Sequence, residues 1–169
     1  MKYLIKTLAL IFIFSLMSCG GGDEKKDKKQ VKIGGTKTET TKKTTPASNE
    51  VPASKRITLD NKGVGAIKNI EISPTIDQAM VDRGAALFKT NCTACHKINK
   101  RFIGPSPTGI MKRRSPEWIM NMILDPSLMS VEDQCAKDLL IEFNGAAMAN
   151  QNMTEAQARD ILEYFRTLK

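Results

Sequence analysis

Apolar side chains recur three and four residues apart in four stretches of the C-terminal part of this chain, and no stretch alternates convincingly as a strand. Met80, Gly84, Leu87 and Phe88 share one face of a helix predicted over residues 75–90, with Thr75 or Asp77 as its cap. Gly84 weakens a helix interior, so its place on that face predicts a close crossing with another helix. Ser115-Pro116-Glu117 reads as a helix start: a capping hydroxyl, Pro at the first helical position and an acid in the first turn. Trp118, Ile119, Met122 and Ile123 give that helix its apolar face, and Asp125-Pro126 stops it. Ser130 is then predicted to cap a helix with Ala136, Leu139, Leu140 and Phe143 on one side, ended by Gly145. Thr154, with Gln157 three residues on, is a capping box for a last helix striped by Ala158, Ile161, Leu162, Phe165 and Leu168. The pattern predicts one small all-α domain over residues 75–169.

Upstream the pattern changes character. Residues 1–18 join a positive start, Lys2 and Lys6, to an apolar run from Leu8 to Leu16, which is the build of a signal peptide. Leu16-Met17-Ser18-Cys19 resembles the lipobox of bacterial lipoproteins, which implies cleavage before Cys19 and lipidation of that residue. Residues 19–56 offer almost nothing to bury and read as a lipidated Cys and a flexible linker, residues 20–56 being about 120–130 Å long if fully extended. Residues 57–74 read as an extended arm that packs through Ile67, Ile70 and Ile72 and ends at Pro74. Localisation follows: the cell envelope, anchored by lipid to a membrane and facing the periplasm or the cell surface.

The net charge of +8 does not change this picture, because of where it lies. Residues 20–56 hold ten basic and five acidic side chains, whereas residues 74–169 hold twelve and eleven. A basic isoelectric point that belongs to the leader and linker argues against nucleic-acid binding by the folded part. Lys97, Lys100, Arg101, Lys112, Arg113 and Arg114 do cluster in sequence. They read either as a solvated face or as a patch that steers an acidic partner.

Chemistry concentrates in Cys92-Thr93-Ala94-Cys95-His96, a C-x-x-C-H run and the attachment signature for c-type haem. Two thiols at this spacing can each add to a vinyl group of one porphyrin, and the adjacent histidine then lies beneath the iron. Zinc binding by Cys92, Cys95, His96 and Cys135, or a Cys92–Cys95 disulfide, are the alternatives. His96 is the sole histidine, so a second protein ligand must be Met, Lys or Cys. Met80 and Met122 lie on helix faces that read as core. Met148 lies in the polar loop Asn144-Gly145-Ala146-Ala147-Met148-Ala149-Asn150, where a thioether has no packing role, and is the first candidate, with Met153 next.

Residues 75–169 resemble class I, mitochondrial-type, cytochrome c domains. The resemblance is carried by Gly84 and Phe88 before the C-x-x-C-H run, Gly104-Pro105 after it, Met148 with Gln151 and Thr154, and a closing helix with Tyr164-Phe165. It implies one covalent haem c, first and last helices crossing at Gly84 and Tyr164 or Phe165, and a Pro105 carbonyl that accepts the Nδ1 proton of His96. It implies His96 and Met148 as axial ligands. Where the family often has Pro after its methionine, this chain has Ala149. The implied activity is that of an electron carrier and not an enzyme, monomeric, serving redox partner proteins. The carrier would link a respiratory complex to a terminal reductase or oxidase. The run from Arg113 to Ile119 and the segment 148–154 look like lipoprotein cytochromes associated with nitrous oxide reductase. The alternative is a haem-based sensor or enzyme in which the Met dissociates.

Overall fold

A computed structural model describes residues 51–169, so the readings on the signal peptide, Cys19 and the linker up to residue 50 lie outside the described residues. Among the described residues five α-helices follow one another: α1 (Gln78–Asn91), α2 (Pro116–Leu124), α3 (Pro126–Glu132), α4 (Gln134–Glu142) and α5 (Glu155–Thr167). A 3-10 turn, Ile110–Lys112, precedes α2, and among the described residues only isolated bridges, Thr58 with Arg114 and Lys97 with Lys100, stand in for strands. No described helix is long and apolar enough to cross a membrane.

The crossing of α1 and α5 is the spine. A Cβ on Gly84 would lie 2.1 Å from the carbonyl oxygen of Asp160, so only glycine lets the two backbones meet. One turn on, Phe88 stacks tilted on Tyr164 at 5.8 Å and edge-on to Phe165 at 5.7 Å. Arg83 grips the Asp160 carboxylate through two bonds, 2.8 and 2.7 Å, beside the same crossing. The expected contact is therefore split: Gly84 meets Asp160 and Ile161, and Phe88 meets the aromatic pair.

Glu163 joins the two helices electrostatically. Its side chain is 1% exposed, yet it accepts from Arg159 and Arg166, each at 2.6 Å, and from the backbone N–H of Asp77 at 3.1 Å. Burial pushes its pKa up, but the donors outweigh burial and hold it below the ordinary glutamate range. A carboxyl depressed on folding contributes stability above its unfolded pKa and loses it as pH falls through the folded value. Glu163→Gln should cost about 1–3 kcal/mol at neutral pH. In urea melts the gap to wild type should close as the pH is taken below 4, and a gap independent of pH would contradict the assignment.

The helix boundaries show where side chains compete for caps. Asp77, not Thr75, caps α1, accepting from the Met80 N–H at 3.0 Å. Ser115 and Thr154 cap α2 and α5 as expected, Thr154 in a reciprocal capping box with Gln157. Ser130 caps nothing: it lies inside α3, which Asp125 and Pro126 start. Asp133 caps α4 instead, because a carboxylate has the capacity to serve three donors. Its Oδ1 takes the Ala136 N–H at 2.8 Å and the Trp118 indole at 2.9 Å, and its Oδ2 takes the Asn61 amide at 2.7 Å. At the other end of α4, Asn144 takes the left-handed position (φ 57°). Its N–H bonds to Ile141 O while that of Gly145 bonds to Leu140 O, the double closure of a Schellman motif.

The extended arm begins earlier than residue 57. Residues 51–56, read as linker, lie on the domain, with Ala53 buried. Arg114, 3% exposed, donates to the carbonyls of Ala53 and Arg56. Farther along, Asn121 replaces a missing strand neighbour: it accepts from the Ile67 N–H at 3.0 Å and donates to the carbonyls of Ile67 (2.9 Å) and Lys62 (3.0 Å). Ile67 is buried, and Ile70 and Ile72 are partly buried against the core.

Candidate functional site

Helix α1 ends in the cysteine motif. Cys92 is its C-cap, bonding to Phe88 O at 2.9 Å, and the N–H groups of Cys95 and His96 both return to Cys92 O, at 3.1 and 2.9 Å. One tight turn therefore fixes both thiols and the imidazole against the helix end. Cys92 is half-buried and Cys95 exposed, and neither is in a disulfide. Before attachment, burial, with Cys95 as a second contribution, pushes the pKa of the Cys92 thiol up to about 11.

The next loop folds back to orient the ring. His96 Nδ1 lies 2.8 Å from Pro105 O. A carbonyl only accepts, so Nδ1 carries the proton and Nε2 keeps its lone pair for a metal. Gly104 lies flat against the imidazole: a Cβ there would sit 2.5 Å from Cε1. Its own N–H bonds to Cys95 O at 2.9 Å. The hydroxyls of Ser106 and Thr108 both donate to Ile98 O, closing the loop. The sequence marks Gly104 as a family feature, but not its contact with the ring, which only folding reveals.

These groups open onto a largely apolar cavity of about 1420 Å³, counting the space at its mouth. Cys92, Cys95, His96 and Pro105 line it, and so do Met148 and Met153. The two methionines differ in their surroundings. Met153 packs against the buried core, whereas Met148 is half-buried in a loop held by local bonds: Gln151 Nε2 to Ala149 O at 3.2 Å and the Asn152 N–H to Asn150 Oδ1 at 2.7 Å. Cys135 is elsewhere, buried in α4, where burial raises its pKa. Among the described residues no three His, Cys, Asp or Glu side chains gather as a metal cage.

The basic cluster does not form one face. Arg113 and Arg114 turn inward and line the cavity wall. Arg113 donates to the carbonyls of Thr108 (3.0 Å) and Ser106 (3.3 Å); burial, and then Arg114, lower its pKa. Arg114 has a buried Nε with no hydrogen-bond partner. Among the described residues neither guanidinium is paired with a carboxylate. Arg101 is paired with Glu142 at 2.8 Å, and Lys97 donates to Thr93 O at 2.8 Å. Lys100 and Lys112 remain exposed. A docking patch of six cations is thus not what these residues make.

The donor set fits a haem. Two thiols, an imidazole lone pair, a thioether, apolar walls and two cations without acidic partners match the vinyl groups, metal, macrocycle and carboxylates of a porphyrin. Cys92 and Cys95 would hold it covalently, His96 and a methionine would bind its metal, and Arg113 and Arg114 would face its carboxylates.

The comparisons agree. Residues 81–169 match the family model described as cytochrome c. Among solved structures the chain is similar to cytochrome c from Rhodothermus marinus, with 41% identity, a TM-score of 0.60, and coverage of 62% of this chain and 89% of that one. It is similar also to an engineered form of that cytochrome bound to a carbene intermediate, with 40% identity, a TM-score of 0.57, and coverage of 62% and 89%. A curated relative, the cytochrome c-553-like protein of Synechocystis sp., is 43% identical over 44 residues, which is 25% of this chain and 42% of that relative's length. With the family match over more than half its length and the solved relatives covered nearly end to end, the chain belongs to the cytochrome c family: residues 81–169 lie in a class I cytochrome c domain that carries covalent haem c and transfers electrons.

Proposed function

We propose that this protein is a lipid-tethered, monomeric one-electron carrier of the cell envelope, in which His96 and Met148 would bind the haem iron. It would take electrons from a respiratory complex and deliver them to a terminal reductase or oxidase, nitrous oxide reductase being the acceptor suggested by the sequence around Arg113 and Met148. The observation that carries the reading is that His96, with its Nε2 lone pair free, and Met148, outside the packed core, line one apolar cavity. Bound haem supplies a single metal-centred redox couple. The chain's residues do the rest. The Pro105 carbonyl and the backbone of Gly104 hold the imidazole in one orientation, so little rearranges between oxidation states. The soft sulfur of Met148, bound to the iron, would favour the reduced state. If His96 and Met148 both bind the metal, small molecules would be kept from it, which would suit a carrier and not a catalyst. Cys19 and the linker would keep the domain at high effective concentration near membrane partners.

A specific feature favours a second reading, a sensor or enzyme with a displaceable ligand: the methionine is followed by Ala149 and its loop is held by local bonds. Carbon monoxide separates the two. The reduced holoprotein should keep its spectrum under carbon monoxide; a prompt shift would favour the sensor. Cys19→Ser should abolish incorporation of labelled palmitate and release the protein from membranes, and labelling that survives would refute the anchor.

A further inference from the structure

Three elements meet at the carboxylate of Glu142, the last residue of α4. Ser54, on the N-terminal arm, donates to it twice, from its N–H at 2.7 Å and its hydroxyl at 2.6 Å. Arg101, on the loop that orients His96, donates to the same carboxylate at 2.8 Å and, with its other arm, to the Glu142 carbonyl at 2.5 Å. The guanidinium also lies over the ring of Phe143, 3.9 Å from its centroid. Phe143 is buried, lines the cavity, and is followed directly by the loop that carries Met148. We propose that Ser54, Arg101 and Glu142 form a latch that ties the His96 loop to the start of the Met148 loop and so sets how firmly the methionine is held.

The physics favours this position for such a device. A two-point guanidinium contact fixes direction as well as distance. A cation at the end of α4 also meets the negative end of the helix dipole. Glu142 is anchored at 16% side-chain exposure while Arg101 is 53% exposed, so the latch is set at the surface but grips a half-buried point. The Met148 loop itself has only local bonds, so its start at Phe143 is where restraint from outside enters. Ser54 adds a segment N-terminal to the family match at residues 81–169, so part of the restraint comes from outside the family core. These are positioning residues: they act through Phe143 and the loop and touch neither ligand.

The inference rests on Met148 being the ligand, and the test separates the two. Imidazole competes with a methionine for oxidised haem, so its affinity, read from the Soret band of the full-length holoprotein, reports how firmly the sulfur is held. Arg101→Ala and Glu142→Ala should each raise imidazole affinity about tenfold, on the order of one lost charge-assisted hydrogen bond. The double variant should exceed either single by little, because both break one latch. Arg101→Lys, which keeps charge but not the fork, should fall between. Arg56→Ala breaks a 2.6 Å ion pair to Asp138, one turn earlier in α4. It should lower the melting temperature and leave imidazole affinity unchanged. Wild-type affinity in the latch variants, or an equal rise in Arg56→Ala, overturns the latch. If Met148→Leu keeps the methionine–iron band, the ligand assignment has failed and the latch falls with it; if that band is lost and the latch variants match wild type, only the latch has failed.

Discussion

Cys92→Ala/Cys95→Ala, expressed beside haem-ligation machinery, should yield a protein with no pigment that survives acid–acetone extraction and with no cooperative melt. The first half follows from bond type. Thioether links hold through acid and organic solvent, whereas an imidazole and a thioether on iron release when protonated or displaced. The second half follows from the core. The cavity beside α1 takes in Phe88, Ile119, Ile123, Ile161 and Phe165. Those side chains belong to the core that packs α1 against α5 and α2 against α5. Each loses about 1.5–3 kcal/mol if its burial is forfeited, and a small domain has only about 5–15 kcal/mol in total. Far-UV circular dichroism against temperature reads the result: a sloping loss of helix replaces a transition. A double variant that melts as sharply as the haem-loaded wild type would show that the side chains alone close the fold. The single Cys95→Ala variant should keep one link and its colour, since Cys92 is the half-buried member and Cys95 the exposed one.

How far the sequence could carry this picture depended on which interactions are local. Ser115-Pro116 and Thr154 with Gln157 announce their helices because a cap reads only three residues ahead. Gly84 announces a crossing because nothing else excuses a glycine on an apolar helix face, and the crossing is there. The cysteine motif is local too, all of it within one turn.

The misreadings share the opposite cause. The N-terminal arm is held by Asn121, Arg114 and Ser115, more than fifty residues away, through its backbone, and backbone anchoring leaves no periodic side-chain trace. Residues 51–56 therefore look like linker although Arg114 ties the carbonyls of Ala53 and Arg56 to the domain. Ser130 lost the α4 cap to Asp133 because the indole of Trp118 and the amide of Asn61 also needed that carboxylate. In the run Lys112-Arg113-Arg114 three adjacent cations look alike on paper. Only Lys112 is exposed; the two arginines bind carbonyls inside. Charge is legible in a sequence, but its direction is set by the fold.

Met148→Leu tests the chemistry without disturbing that fold. Leucine is close in volume, and exchange of the two costs less than about 1.5 kcal/mol even in cores; Met148 is only half-buried. The melting temperature should therefore stay near that of wild type. The oxidised protein should lose its methionine–iron charge-transfer band in the far red. The potential should fall by about 100 mV or more, a fraction of the roughly 0.8 V over which axial ligands tune haem iron. The sign follows from softness: the thioether stabilises the reduced metal more than the oxidised one, and leucine offers nothing in its place, so the reduced state loses its preference. Carbon monoxide should now bind the reduced variant. Met153→Leu is the necessary partner experiment, because both sulfurs line the cavity. Met153 already packs against the core, so its loss should cost some stability and leave band and potential alone. If Met153→Leu removes the band and Met148→Leu does not, the sulfur on the iron is the one beside the α5 cap, and the loop from Asn144 to Asn150 has some other task.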